Sequence, residues 1–244
     1  MSNLDLSTVG LSSLLFSQTG LALLSLLLTL CCYFAAKCLY QRHRVWWLAP
    51  IVFAPVVITV LVFNLDIPLP TYFEYTHWLM AMLAPATIAF ALPIYRERQL
   101  IRQYPLTLSL GVVAGLFLGM ISSWLLVKWV PLPAELSRSL LVRSVSTPFA
   151  MEATGAFGGV PELTAMMVLI TGIIGMLVCE PLFKLMHIRT SLGKGVALGA
   201  SAHGAGAAKA TELGQQEGVI ASLTMIFIGI AMVLGAPVFA LMFS

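Results

Sequence analysis

Residues 141–152 read Leu-Val-Arg-Ser-Val-Ser-Thr-Pro-Phe-Ala-Met-Glu, and this run places two charges and a proline in an otherwise apolar stretch. Ser146 or Thr147 carries the side chain that commonly caps a helix N-terminus, and Pro148 suits the first helical residue. The pattern predicts that a half-helix begins here with its positive dipole end directed into the protein, where it attracts an anion. Arg143, about one turn upstream, adds a bidentate donor for a carboxylate. The alternative is that Arg143 extends to an aqueous interface and the proline only kinks a helix.

The composition around this run is that of a protein whose solvent is the lipid bilayer. Of 244 residues, 59% are hydrophobic and 9% are charged, and the mean hydropathy is +0.97. Soluble domains carry about 25% charged residues. The composition argues against a disordered chain, a disulfide-stapled secreted domain and a protein that binds nucleic acid. The net charge of +3 fits basic loops beside membrane spans.

Six nearly uncharged windows are each long enough to cross a membrane as a helix; they are residues 20–38, 45–65, 78–95, 106–130, 165–183 and 218–243. Two further windows, 135–159 and 191–214, are too polar or too rich in glycine for helices that face lipid. We therefore predict an all-α polytopic membrane protein with about seven to eight transmembrane segments, some of them broken or re-entrant. It is treated as one membrane domain, 1–244, with an N-terminal extension (1–19), a first half (20–130) and a second half (131–244).

Basic loops predict the orientation of the chain, because cytoplasmic loops are enriched in lysine and arginine; these loops are residues 37–44, 96–103 and 184–194. The N-terminus then lies outside. The span 106–130 leaves the cytoplasm and the span 165–183 returns to it. Segment 135–159 must consequently enter and leave on one face, as a re-entrant hairpin or a broken helix. Irregular backbone at membrane depth is tolerated only where it is buried in protein or lines a cavity, so this segment is predicted to form a site.

The second unusual window consists almost entirely of small residues between positions 195 and 212. His203, Lys209 and Glu212 are the exceptions. An ionisable residue within a membrane segment is a candidate for a functional role, and His203 can donate a hydrogen bond to an anion. Lys209 and Glu212, three positions apart on a helix, either join that site or form an ordinary ion pair near the surface.

The sequence contains several weaker patterns. Pro85 and Pro93 predict a third broken helix, and the stripe Gly111, Gly115 and Gly119 predicts a helix-packing face. Glu180 is interpreted as an interfacial carboxylate. The cysteines are expected to be small buried residues; they are Cys31, Cys32, Cys38 and Cys179. The sequence offers no nucleophile–base set and no metal-binding pattern, so we expect no enzymatic activity, no metal and no cofactor.

Ordered motifs over nearly the whole chain from about residue 20 resemble the LrgB/CidB family; they are Tyr72-Phe73, Pro85-Ala86-Thr87 with Pro93-Ile94-Tyr95, Pro148-Phe149-Ala150-Met151, residues 158–165, Ala197-Leu198-Gly199, His203-Gly204 and Glu217-Gly218. The resemblance implies a protein of the bacterial inner membrane. It also implies an antiholin-like regulator of murein hydrolases that acts with a small holin-like membrane protein of the LrgA/CidA type. Plastid relatives carry glycolate and glycerate, and some bacterial members are linked to pyruvate movement. The family is similar to transporters built from inverted repeats with broken helices.

Two functional hypotheses follow. The first is a transporter or exporter of small carboxylates such as pyruvate, glycolate or glycerate, whose candidate substrate-binding residues are Arg143, Ser146, Thr147, Pro148, His203, Gly204, Lys209 and Glu212. The second is the antiholin-like regulator, which would contact its holin-like partner through stripes such as Gly111–Gly119. A homo-oligomer is compatible with both hypotheses.

Overall fold

The computed structural model describes residues 17–43, 45–89 and 91–243. Most of the predicted N-terminal extension lies outside the described residues, and so does Arg44 of the first basic loop. All regular secondary structure in the described residues is helical, which confirms the all-α class.

The helices follow one another with short connections, and a 3₁₀ turn at Trp46–Leu48 precedes the second; they are α1 (Gln18–His43), α2 (Pro50–Asn64), α3 (Leu69–Ala81), α4 (Leu83–Ala89), α5 (Ala91–Arg96), α6 (Arg98–Gln103), α7 (Pro105–Trp129), α8 (Ala134–Leu140), α9 (Thr147–Phe157), α10 (Pro161–Leu185), α11 (Ser191–Leu213) and α12 (Gln215–Phe243).

Within the described residues, five helical segments are long and apolar enough to cross a membrane; they are Gln18–His43, Leu69–Arg96, Pro105–Trp129, Pro161–Leu185 and Gln215–Phe243. The helix found within the predicted window 45–65 is shorter than expected. A 3₁₀ turn occupies the first residues of the window, and α2 has only 15 residues. Such a helix is about 22 Å long, against a hydrocarbon core of about 30 Å. The multi-pass character is supported, and the number of crossings stays a prediction.

Pro85 and Pro93 are the third residues of α4 and α5. Pro85 therefore lies in the first turn of α4, where a helix tolerates proline because the N–H groups have no intrahelical acceptor. Phe90, which lies between these two helices, is outside the described residues. That the two prolines break a transmembrane helix therefore stays a prediction.

The chain divides into two compact units, one ending at Leu83 and the other beginning at Ala84. In the first unit, α1 packs against α2 and α3, and the Thr29 hydroxyl shares a hydrogen bond of 3.0 Å with the Tyr72 hydroxyl. The sequence predicted two halves that meet at residue 130. These compact units are defined by packing and not by function, so that division stays a prediction.

The cysteine prediction is wrong for Cys31 and Cys38, which are exposed on α1, whereas Cys179 is buried. The buried face of α1 carries Ala22 and Ala36. Nine residues separate Cys31 from Ala22, and at about 100° per residue this places the thiol on the opposite side of the helix.

In the second unit, α12 forms the centre and packs against α7, α9 and α11. Its buried positions include Ile228 and Met232, which lie in one apolar cluster with Met120 of α7 and Phe149 of α9. The Phe149 ring lies where a side chain on Gly229 would otherwise be. The absence of a Cβ at Gly229 thus lets α9 approach α12 closely.

The glycine stripe of α7 is confirmed as a packing face within the second unit. Its three glycines face Val196, Ala200 and Ser144. A Cβ on Gly115 would lie 2.7 Å from the Ala200 Cβ, which is too close for any residue but glycine. The expectation that this stripe is free for a partner protein is wrong, because helix α11 and the chain before α9 already cover it.

Candidate functional site

The helix break predicted between residues 141 and 147 is present. Helix α8 ends at Leu140, the next six residues are not helical, and α9 begins at Thr147 with Ser146 as its N-cap. Pro148 is therefore the second helical residue and not the first. The Ser146 side chain forms no capping hydrogen bond. The N–H groups at the positive end of α9 therefore receive no hydrogen-bond acceptor from this side chain.

The two ends of the broken segment lie close together in space. Ser139, just before the break, accepts a hydrogen bond of 2.8 Å from the backbone N–H of Val160, just after α9. Thr164 of α10 donates to the Ser139 carbonyl at 3.2 Å and accepts from the Thr154 hydroxyl at 2.8 Å. These contacts hold both ends of the segment against the beginning of α10. The two ends of the segment therefore lie together, and that it enters and leaves the membrane on one face stays a prediction.

Helix α11 contains a second break, at His203, whose backbone has φ 49° and ψ −123°. This conformation is strained for a residue with a side chain. After the break the chain folds back, since Gly206 lies against the carbonyl of Leu198. Eight residues of straight helix would separate these two by about 12 Å. Lys194 and Leu213, near the two ends of α11, accordingly line one cavity.

Both breaks reach the middle of α10. Arg143 donates from Nη1 to the Thr171 hydroxyl at 3.4 Å. A Cβ on Gly175 would lie 2.7 Å from the Ala202 Cβ, next to His203. Because the first segment is attached at the beginning of α10 and the second at its end, the two segments approach this point from opposite ends of a helix about 37 Å long.

Arg143 lies at this meeting point without a carboxylate. Its Nη2 donates to the Ser122 hydroxyl of α7 at 3.1 Å, and its Nε is buried without a hydrogen-bond partner. No ion pair joins Arg143 to an acidic side chain in the described part of the chain. Two neutral hydroxyls fix the guanidinium while leaving its charge uncompensated. Ser122 is exposed, so the outer end of the guanidinium remains accessible.

His203 lies beside Arg143 and is almost completely buried, with 2% of its surface exposed. Neither ring nitrogen meets the geometry of a hydrogen bond with a described residue, although the Ser144 backbone and the Arg143 guanidinium lie close enough to the ring to interact with it electrostatically. The hydroxyls of Ser144 and Ser146 are likewise buried and unpaired. Each unsatisfied buried group costs about 1–3 kcal/mol, and native proteins hydrogen-bond the large majority of such groups to protein, water or a bound ligand.

The remaining predicted residues divide into two sets. Thr147 and Pro148 are half-buried at the start of α9, directly after Ser146. Gly204 is exposed next to His203, and a Cβ there would meet no atom within 4 Å. Gly204 therefore borders open space at the helix break.

Lys209 and Glu212 lie away from Arg143 and form an ion pair. Lys209 Nζ is 2.7 Å from a Glu180 carboxylate oxygen and 3.4 Å from one of Glu212. Glu180 follows Thr171 on α10 by nine residues, roughly 13 Å along the helix axis. The ordinary surface pair considered as the alternative describes Lys209 and Glu212 better than a place in the anion site does.

Sequence reasoning missed Ser122 and Thr171, the two hydroxyls that hold Arg143. Both lie within long apolar helices. Hydroxyl residues in such helices commonly bond their own backbone, as Ser122 also does to the Gly119 carbonyl at 2.8 Å, so the sequence signal is weak.

Comparison with known proteins agrees with the sequence motifs. The model of the LrgB-like family matches residues 29–242. The uncharacterized protein YwbG of Bacillus subtilis (strain 168) is 36% identical over 217 residues, which are 89% of this chain and 96% of YwbG. The uncharacterized protein YxaC of the same organism is 31% identical over 208 residues, covering 85% of this chain and 90% of YxaC.

A third relative carries a functional name. The antiholin-like protein LrgB of Bacillus subtilis (strain 168) is 31% identical over 157 residues, which are 64% of this chain and 68% of that protein. No solved structure matches the chain. The family match over most of the sequence, together with motifs that coincide with the two helix breaks, shows that the chain belongs to the LrgB-like family.

Proposed function

We propose that this protein is a transporter or exporter of small carboxylates, such as pyruvate, glycolate or glycerate, in the bacterial inner membrane. One observation carries the proposal: two broken helical segments bring an arginine without a counter-ion and an unpaired buried histidine to one place. An unpaired charge within a membrane protein is costly, and a bound anion supplies the missing partner.

The carboxylate is proposed to accept hydrogen bonds from the Arg143 guanidinium and from an N–H of the His203 imidazole. The positive end of α9 adds a favourable dipole, since it begins three residues after Ser144. The Ser144 and Ser146 hydroxyls are available for a hydroxyl or carbonyl group next to the carboxylate. Binding makes and breaks no covalent bond, so the proposal assigns the protein no enzymatic activity, metal or cofactor.

Alternating access follows if α10 crosses the membrane. The two broken segments then enter from opposite faces as re-entrant hairpins, an arrangement typical of transporters with inverted repeats. The basic loop that includes residues 184–194 lies in the cytoplasm under this orientation, and the N-terminus lies outside. Movement of one hairpin against α10 exposes the anion to one face and then to the other.

The direct test is uptake of labelled pyruvate, glycolate and glycerate into proteoliposomes containing the purified protein. We expect saturable uptake that falls by about 100-fold or more in Arg143→Ala and by about tenfold in His203→Ala, while the control Lys128→Ala, which removes an exposed cation at the end of α7, retains it. Thermal unfolding of each variant establishes that it is folded. Absence of uptake of all three acids by the wild type, with and without a holin-like partner in the same membrane, contradicts the proposal.

The name of the third relative favours a second candidate function. In this alternative the protein is an antiholin-like regulator of murein hydrolase activity that binds a small holin-like membrane protein of the LrgA/CidA type. Helices α4, α5 and α6 contain no buried residue, so their surface is available to a partner or to a second copy of the chain. Co-purification with such a partner that survives Arg143→Ala, together with unchanged lysis control in the same variant, supports the regulator over the transporter.

A further inference from the structure

A cavity of about 530 Å³ lies at the end of α10 that is remote from Arg143. It is bordered by the last turns of α10, the connection to α11 and both ends of α11. Lys184, Arg189 and Lys194 contribute three permanent positive charges to its lining. The beginning of α11, where Thr190 caps the helix, adds the positive end of a helix dipole.

The positive charge of this cavity is not neutralised by its own acidic residue. Glu180 also lines the cavity, but its carboxylate forms the 2.7 Å ion pair with Lys209. In the described part of the chain, Lys184, Arg189 and Lys194 form no ion pair with a carboxylate. Lys184 also interacts electrostatically with Glu180, but the cavity still carries three cations against one carboxylate that is already paired with Lys209. Such a surface attracts an anion of higher charge density than a single carboxylate, which is the property of a phosphate group.

The remainder of the lining is apolar. Phe183 and Leu213 face the same cavity, and the neighbouring Leu185 and Met186 are 74% and 66% exposed. A ligand with a phosphate at one end and hydrocarbon at the other satisfies both parts of this surface. Basic pockets between helices on the cytoplasmic side of membrane proteins bind anionic lipid headgroups in this way.

We infer that the cavity between the end of α10 and the two ends of α11 is a binding site for a phosphate group, presented by an anionic phospholipid or by a soluble phosphate. This site is separate from the carboxylate site and does not depend on the proposed transport. Because it contacts both ends of α11 and α10 together, an occupied cavity holds the second broken segment against α10.

The test is thermal unfolding of the detergent-solubilised full-length protein during titration with dioleoylphosphatidylglycerol, dioleoylphosphatidylcholine or inorganic phosphate. We expect phosphatidylglycerol to raise the unfolding midpoint in a saturable manner and phosphatidylcholine to leave it unchanged. In the variant Lys184→Gln/Arg189→Gln/Lys194→Gln, the apparent affinity should fall by about 100-fold, since each basic residue contributes roughly fivefold. If the triple variant does not fold, the single variant Lys194→Gln replaces it, and its apparent affinity should fall roughly fivefold.

A matched control variant removes three positive charges from a region outside the cavity. The variant Arg96→Gln/Arg98→Gln/Arg102→Gln removes three arginines from another predicted cytoplasmic loop, and we expect it to respond to phosphatidylglycerol as the wild type does. A saturable response to inorganic phosphate that requires the same three cavity residues supports the site with a soluble phosphate as its source. An equal loss of affinity in cavity and control variants, or no midpoint shift with any of the three additives in the wild type, overturns the inference.

Discussion

Arg143 and Lys209 are two cations on broken helical segments of the same unit, and the structure surrounds them in opposite ways. Lys209 lies within 3.4 Å of two carboxylates, whereas Arg143 is held by two neutral hydroxyls. A cation paired with carboxylates in the same chain has no electrostatic need for a ligand. A cation fixed in place but left uncompensated does, and this difference separates a structural charge from a binding charge.

The largest effect is expected for Arg143→Gln, which keeps a similar shape and removes the charge. Loss of a charge-assisted bidentate contact should lower carboxylate uptake by about 100-fold or more, while the thermal unfolding midpoint stays near that of the wild type. Arg143→Lys should retain charge but lose the forked geometry, with a loss of about tenfold. Equal activity of Arg143→Gln and wild type in proteoliposomes would remove the distinction between the two cations.

His203→Gly separates binding from backbone strain. The φ of 49° at His203 is easily adopted by glycine, so this change relieves strain worth about 1–3 kcal/mol and removes an unpaired imidazole. We expect uptake to fall about tenfold while the unfolding midpoint does not fall. His203→Ala, which lacks the imidazole but keeps the strain, is the matched control and should unfold at a lower temperature than His203→Gly. A decrease in stability for His203→Gly with full uptake indicates that the imidazole only fills space.

A smaller effect is expected from the residues that position Arg143. Ser122→Ala and Thr171→Val each remove one acceptor of the guanidinium, which should raise the KM for uptake roughly three- to tenfold with little change in maximal rate. Ser123→Ala serves as the control, because the neighbouring hydroxyl donates only to the Gly119 carbonyl. A loss in Ser123→Ala as large as that in Ser122→Ala indicates disturbed helix packing and not a positioning role.

The smallest effect on uptake is expected for Lys209→Gln, which should stay within about threefold of the wild type. The ion pairs are partly exposed, with side-chain exposures of 22% for Lys209 and 48% for Glu180, so their loss should lower stability by no more than about 1 kcal/mol. Thermal unfolding of Lys209→Gln, Glu180→Gln and the double variant measures their coupling. Uptake that falls as far in Lys209→Gln as in Arg143→Gln contradicts the assignment of Lys209 to structure.

Local sequence signals account for the elements that depend on neighbouring residues. Serine, threonine and proline at positions 146–148 predicted the start of α9, because capping and the fixed φ of proline act within one turn. The glycine stripe of α7 predicted a close helix contact for a similar reason. A histidine within a run of small residues predicted a special role for position 203, although nothing local predicted that the backbone itself breaks there.

Local sequence signals could not predict contacts between residues that are distant in the sequence. The spacing of three residues revealed Glu212 as a partner of Lys209, but the shorter ion pair is with Glu180 on another helix. The hydroxyls of Ser122 and Thr171 reach Arg143 only because the broken segment folds back onto α7 and α10. The sequence also did not show which face of α1 packs inward, because the helix is apolar on all sides. The cysteine prediction failed there for this reason.

Equilibrium binding of labelled pyruvate, glycolate or glycerate to the detergent-solubilised protein tests the central claim most directly, since it does not depend on transport. The wild type, Arg143→Gln and Lys209→Gln should be compared at equal concentration and with equal unfolding midpoints. We predict that at least one of the three acids binds saturably to the wild type and to Lys209→Gln, and that Arg143→Gln abolishes this binding. Binding that is unaffected by Arg143→Gln, or the absence of binding of all three acids to the wild type, would contradict the account.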